Sequence, residues 1–301
     1  MSERPPFASG RVLFKARLRS VFSAVCALSG MAFVWHRLFA KRGVRILAYH
    51  GVETPPTNPF AVAVENFEAQ IAHISKRYDV MDLAAFLGWQ AGVYQSDKEK
   101  IVLTFDDGFK NNLKYAAPIL ERYAVPATFF IIGSKLEGED GRFMTTKEAA
   151  ALLDRGSFRI GSHTLNHLSV TRITDTERER ELGGSRAVLE EKLGGEIDLF
   201  CYPYGTFNDF DKHSVGCLKR YGYKLACTSV NGINFKGTDP FRLRRTKVEW
   251  SDDVRTFRRL LGGAMDGWIL VDFFFRFLQR PRAVRFNEAG NTVSGVGGGK
   301  R

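Results

Sequence analysis

The chain has 301 residues, enough for one large domain with a full core or two small ones. Its net charge of +11 is uneven: residues 1–45 carry nine Lys/Arg against Glu3, and residues 276–301 carry six against Glu288. That leaves 29 basic and 31 acidic residues over 46–275. A nucleic-acid enzyme would carry its basic surface around the site. The distribution therefore argues against nucleic acid as a partner and for a membrane surface.

In chain order, the first apolar stretch is VFSAVCALSGMAFVW (Val21–Trp35), uncharged, with Arg17 and Arg19 before it and His36, Arg37, Lys41 and Arg42 after it. It falls short of the roughly 20 residues of a full span. Its basic far flank, without an obvious cleavage site, does not make a clean signal peptide. Residues 1–43 are expected to form an interfacial or signal-anchor helix, with an amphipathic helix packed on the domain as the alternative. VRILAYHGV (Val44–Val52) is a first strand, and a helix follows from Val64 to Arg77. YDVMDL is a short strand and Ala84–Gln90 a helix. IVLTF (Ile101–Phe105) is a buried strand, followed by a helix through Tyr123. PATFFIIG, FRIGSHT, LFCYPYG and YKLACTS are further strands. The intervening helices cover Thr146–Asp154, Thr174–Leu193 (opening on the cap-like TDTERE) and Asp209–Tyr221. Such alternation predicts parallel strands with helical crossovers, and residues 44–264 read as one α/β domain. WILVDFFFRFLQRPR (Trp268–Arg282), within an apolar segment over 265–286, is either a second membrane-contacting helix or a core helix. Residues 287–301 have a disordered composition. Cys26, Cys201, Cys217 and Cys227 lack CxxC-type spacing and read as free thiols.

The strand IVLTF stops at Asp106 and Asp107, with Gly108 free to turn the backbone. Successive strand residues point to opposite faces, so the two carboxylates converge on one site only if the turn re-aims one of them. Capping of the following helix is the plain alternative. In IGSHTLNHLSV, His163 and His167 stand four residues apart directly after a strand, a spacing that brings both imidazoles to a single ion. Two imidazoles and a carboxylate leave positions open for water, the arrangement of a hydrolytic zinc site. In FCYPYGTFN, Pro203 fixes the backbone and Gly205 permits a sharp turn, which would preset the Tyr204 amide as a donor to an oxyanion, an ordinary turn after a strand being the plain alternative.

TFDDG, HTLNH and YPYG, in that order and spacing, resemble the polysaccharide deacetylases of carbohydrate esterase family 4, the NodB-homology domain, over roughly Val44 to Trp250. The resemblance implies a distorted (β/α)7-type barrel, here with N- and C-terminal apolar helical extensions. The implied activity is removal of N-acetyl groups from a polysaccharide of the bacterial envelope. It also implies Asp106 as general base, Asp107, His163 and His167 as ligands of one divalent metal ion, zinc by the donor set, and the Tyr204 amide as oxyanion donor. Two positions depart from the commoner branch. Cys201 stands where an Arg precedes the Pro-Tyr pair, and no late LxH histidine follows, since His213 lies in a polar helix. ILAYHGV resembles instead the opening strand of the branch acting on poly-N-acetylglucosamine-type exopolysaccharides, which assigns the general acid to His50.

Pro203, Tyr204 and Arg245 are expected on the substrate side. Arg244 or Arg245, in FRLRRTKV, is expected to orient Asp106, and the sequence does not choose between them. An O-acetyl esterase, a deformylase on a lipid-linked sugar and a silent carbohydrate-binding protein are the alternatives. The last needs no base beside a metal. The expected location is a membrane of the envelope, on an unspecified side.

Overall fold

A computed structural model describes Phe7, residues 9–138 and residues 140–275; the expected tail over 287–301 and the segment 276–286 lie outside the described residues. Two helices come first, α1 (Gly10–Leu28) and α2 (Met31–Phe39). The barrel then runs β1 (Val44–Tyr49), α3 (Val64–Arg77), β2 (Asp79–Val80), α4 (Ala85–Gln90), β3 (Lys100–Phe105) and α5 (Ala117–Arg122). It continues with β4 (Ala127–Ile131), α6 (Thr146–Leu153), β5 (Phe158–Ser162), α7 (Asp175–Glu179) and α8 (Ser185–Leu193). The last elements are β6 (Leu199–Cys201), α9 (Lys212–Arg220), β7 (Leu225–Cys227), β8 (Arg245–Lys247), α10 (Val254–Leu261) and α11 (Trp268–Phe275).

The strands pair in the order β7-β6-β5-β4-β3-β1-β8, and β2 adds to the start of β3 outside this path. All named pairings are parallel. A parallel bridge from Cys227 to Leu243 brings the two ends together, so seven strands form a nearly closed barrel. Side chains alternate across its wall. Ile46, Val102, Phe130, Leu199 and Leu225 belong to an inner cluster, whereas Tyr49, Leu103, Phe105 and Phe129 pack outward against the helices. The Tyr49, Phe105 and Phe129 rings stack in sequence at 5.4 and 4.7 Å, which locks β1, β3 and β4 together. Because β1 and β3 are held in full register, Tyr49 opposite Phe105, their C-terminal ends emerge side by side. His50 and Asp106 follow directly.

Capping boxes fix where the helices start: Thr145 with Glu148 for α6, and Thr174 with Glu177 for α7. β8 and α10 were not expected from the sequence. Three residues of strand carry too little periodicity, and Arg245 stands where an interior apolar residue would be looked for.

The N-terminal segment does not form one uninterrupted helix. Gly30, at φ 75°, separates α1 from α2, and no helix among the described residues is long and apolar enough to cross a membrane. Nor does α1 stand away from the barrel. Arg19 is buried, pairing with Glu249 at 2.5 Å and Asp252 at 3.3 Å and donating to the carbonyl of Lys247, the last residue of β8, at 3.2 Å. Phe22 meets Trp268 edge-on at 5.2 Å, and Phe7 meets Trp250 likewise at 5.7 Å. One face of this segment is therefore packed on the barrel. Removing Arg19 would take the cation from buried Asp252 and a charged partner from buried Glu249. Arg19→Met should therefore destabilise the protein by about 3–5 kcal/mol in urea unfolding, and a loss below about 1 kcal/mol would show that α1 is not docked by this pair.

Candidate active site

Asp106 continues the inward alternation of Val102 and Thr104, so its carboxylate enters the barrel interior, where only 3% of the residue is exposed. By the same alternation Asp107 would point outward. It does not, because Asp107 at φ 72° and Gly108 at φ 75° turn the chain through the left-handed region. Both carboxylates then serve one site. A side chain on Gly108 would also press on Ile131 at 3.2 Å, so the turn sits directly against β4.

Arg245 pairs in register with Ile46 and faces the same interior. Its guanidinium grips Asp106 in a two-pronged bond, Nη1 to Oδ1 and Nη2 to Oδ2, both 2.7 Å. The remaining donors reach the Thr228 carbonyl at 2.7 Å, Thr104 Oγ1 at 3.1 Å and Cys201 Sγ at 3.0 Å. Burial disfavours the charged form of Asp106, yet Arg245, with His163 and His50 further off, holds its carboxyl far below the usual carboxylate range. With 1% exposure and all its donor groups engaged, Arg245 is no substrate-side residue, contrary to the sequence expectation. It is the partner that positions Asp106. Arg244 instead packs beside Gly232, and its amide donates to Asn234 Oδ1 at 2.8 Å.

Asp107 Oδ1 lies 3.4 Å from His163 Nε2 and 3.4 Å from His167 Nε2. Ligands about 2.0–2.1 Å from a tetrahedral ion lie about 3.3–3.4 Å apart, so Asp107 stands at ligand spacing from both imidazoles, and all three ligand atoms lie within 4.8 Å of one another. His163 Nδ1 sits 2.8 Å from the Cys201 carbonyl. A carbonyl only accepts, so Nδ1 carries the hydrogen and Nε2 keeps its lone pair for a metal. Burial lowers the proton affinity of His163, but Asp107 and Asp106 outweigh it and raise the net value. Burial pushes His167 down to about 4, with Asp107 opposing and His163 adding to the drop. Asp106, His163 and Cys201 also group closely enough to hold an ion. That second set fits poorly: Asp106 is committed to Arg245, and burial pushes the Cys201 thiol well up, away from the ligating thiolate.

His163 and His167 are joined by a loop, not a helical turn. Thr164 and His167 adopt φ 64° and 59°, and Thr164 Oγ1 accepts the His167 amide at 2.9 Å. Buried Glu181 clamps the loop, accepting from the Asn166 amide at 2.8 Å and its Nδ2 at 2.7 Å. Tyr204 lies in the third loop at φ 60°, beside His167 with ring centroids 5.0 Å apart. Its amide has no hydrogen-bond acceptor among the described residues. Pro203 is buried within the turn. Gly205, at φ 56°, has no room for a side chain, since a Cβ would fall 2.6 Å from the Ser229 nitrogen. Buried Asp209 ties the second and third loops together, accepting from Ser169 Oγ at 2.7 Å and Thr206 Oγ1 at 2.6 Å. Asp107, Thr164, His167 and Tyr204 are four of the five non-glycine residues with positive φ among those described. The backbone strain thus gathers around one site.

His50 opens from β1 toward Asp106, Nε2 to Oδ2 at 3.9 Å. Its carbonyl accepts from Asn112 Nδ2 at 2.7 Å, and Phe60 lies against its ring at 5.1 Å. The site therefore gathers His50, Asp106, Asp107, His163, His167, Tyr204 and Arg245 at one barrel end, while His213 stays remote, beside Asp175. Sequence reasoning missed Glu181, Asp209, Asn112 and the role of Cys201. Glu181 and Asn112 lie in π-helical turns, Arg180–Gly184 and Asn112–Ala116, which leave no periodicity signal to find.

Residues 94–226 match the profile of a family described as polysaccharide deacetylase. The poly-beta-1,6-N-acetyl-D-glucosamine N-deacetylase of Staphylococcus aureus is 26% identical over 212 residues, covering 65% of this chain and 70% of that protein. A polysaccharide deacetylase from Bacillus cereus superposes with a TM-score of 0.63 at 28% identity, over 73% of this chain and 69% of that one. A Streptococcus pyogenes deacetylase in complex with acetate has a TM-score of 0.66 at 21% identity, over 73% and 98% of the two chains, a likeness of fold.

The Asp106–Arg245 pair makes a prediction that needs no substrate. Asp106 titrates in the folded state below its unfolded value of about 3.9. The stability it contributes is present above that pH and is lost as pH falls toward the depressed folded value. Arg245→Lys breaks the two-pronged bond, so the acid-unfolding midpoint followed by circular dichroism should move to higher pH. An unchanged acid limb would mean that Arg245 does not keep Asp106 ionised.

Proposed function

We propose that this chain, which matches the polysaccharide deacetylase family over residues 94–226, hydrolyses the N-acetyl groups of an N-acetylated polysaccharide of the cell envelope. The observation that carries this reading is the division of labour between adjacent carboxylates. Asp107 meets both imidazoles at 3.4 Å, while both oxygens of Asp106 are committed to Arg245. A site that only bound sugar would need no ionised carboxylate fixed beside a metal-type triad.

Asp107, His163 and His167 would hold one divalent ion, and zinc suits a two-histidine, one-carboxylate donor set. When bound, such an ion supplies Lewis acidity toward an amide carbonyl and acidity to a water molecule. Asp106 accepts the proton of the attacking water, its carboxylate kept ionised and oriented by Arg245. The Tyr204 amide, preset by the turn over Pro203 and Gly205, donates to the oxyanion that develops on the acetyl group. His50 delivers a proton to the departing sugar amine and stands close enough to Asp106 for both to serve one glycosidic unit. The likeness to the Staphylococcus aureus enzyme supports a poly-N-acetylglucosamine type of substrate.

Free amine and acetate released from β-1,6-linked N-acetylglucosamine oligomers test this directly. Both should appear in equal amounts and cease on addition of a chelator, returning with zinc. Acetate without amine from an O-acetylated glycan alone would identify an esterase and overturn the reading. Asp106→Asn and His50→Ala should each lower turnover by about 10²–10⁴-fold while retaining one equivalent of metal. His163→Ala should lose the metal itself.

A further inference from the structure

The docked face of α1 accounts for only half of this helix. Phe14, Leu18, Val21, Val25 and Leu28 are exposed by 69, 44, 60, 56 and 88%. At 100° per residue these five fall within an arc of about 80°, and buried Arg19 and Ser23 lie on the opposite side. An apolar stripe four turns long thus faces outward on a helix whose other face is fixed to the barrel. Next to it, α11 is joined to α1 through Trp268 and Phe22 and exposes Leu270 and Phe274 by 62 and 66%. Soluble surfaces rarely present this much contiguous apolar area without a partner.

Charge decides between the occupants. The 4-3-4-3 spacing would also suit a seam between two copies of the helix. However, α1 contains no acidic residue, and exposed Arg17 borders the stripe, so self-association would bring like charges together. Arg37, Lys41 and Arg42, which follow on the same segment, are exposed as well and have no ion-pair partner among the described residues. An apolar stripe edged by cations fits a sheet of anionic lipid headgroups over acyl chains. We propose that α1, with the outer edge of α11, lies in the interface of an anionic membrane and seats the barrel on it. The break at Gly30 and the Arg19 pair suit a helix lying in the plane, not one crossing it. This placement stands independently of the catalytic reading, since Arg19, not a site residue, ties the stripe to the barrel.

The full chain should sediment with vesicles of phosphatidylcholine and phosphatidylglycerol, and about tenfold less with phosphatidylcholine alone or in high salt. The double variant Leu18→Asp/Val25→Asp should lower binding to the anionic vesicles at least about tenfold. Its unfolding temperature and deacetylase rate on soluble oligomers should be unchanged, because both side chains face solvent. Val93→Asp, an exposed apolar residue away from the stripe, should bind as wild type. Equal sedimentation of the double variant and wild type would overturn the proposal. So would a wild-type chain that ignores anionic vesicles, including one found by light scattering as a dimer that the variant dissociates.

Discussion

A charged pair inside the barrel sets the terms for the rest of the site. Asp106 and Arg245 are both almost inaccessible to solvent, yet each presents its charge to the other through two 2.7 Å bonds. A buried carboxylate without that partner would take up a proton and lose its basicity. The pair therefore requires β8 beside β1 and β1 in register with β3, so that residues 245, 46 and 102 share one interior face. Cys201 completes the enclosure, its sulfur against Arg245 and its carbonyl against His163. A single short strand, β6, thus touches both the Asp106 carboxylate and one imidazole of the candidate metal triad.

Around this rigid centre the functional groups sit on loops that adopt costly backbone conformations. Left-handed residues without glycine's freedom occur at Asp107, Thr164, His167 and Tyr204, each at one end of a parallel strand or in the loop beyond it. Such conformations cost of order 1–3 kcal/mol apiece and persist only when surroundings over-determine them. Here Glu181 holds the loop bearing the histidines, and Asp209 fastens that loop to the turn bearing Tyr204. The loops of the candidate site are thus held by buried carboxylates behind them.

The same economy of elements links the site to the outside of the molecule. Arg19 reaches from α1 to the end of β8, the strand that carries Arg245, and to the carboxylates that follow it. A helix that reads in isolation as a membrane segment is therefore part of the folded body, with one face used internally and the other left apolar. On the interfacial placement proposed above, the catalytic barrel would be carried at the lipid surface without any span.

Much of this protein was legible from its residues alone. The strand-to-helix alternation predicted parallel strands with helical crossovers and the family resemblance a barrel, and α3 begins and ends at the expected Val64 and Arg77 because its apolar period and flanking turns are unambiguous. TFDDG, HTLNH and YPYG singled out Asp106, Asp107, His163, His167 and Tyr204, and ILAYHGV singled out His50, and the fold brings these residues together at one barrel end. Tertiary structure alone decided which of Arg244 and Arg245 meets Asp106, because the choice depends on which face of a three-residue strand turns inward. It also decided that Asp107 swings to the same side as Asp106, through a backbone angle that sequence does not display. The supports Glu181, Asp209 and Asn112 could not be read locally, as their partners lie 15, 40 and 62 residues away. The fate of the N-terminal helix was open for the same reason: hydropathy describes the apolar stretch, but only the distant carboxylates of Glu249 and Asp252 determine which of its faces is buried.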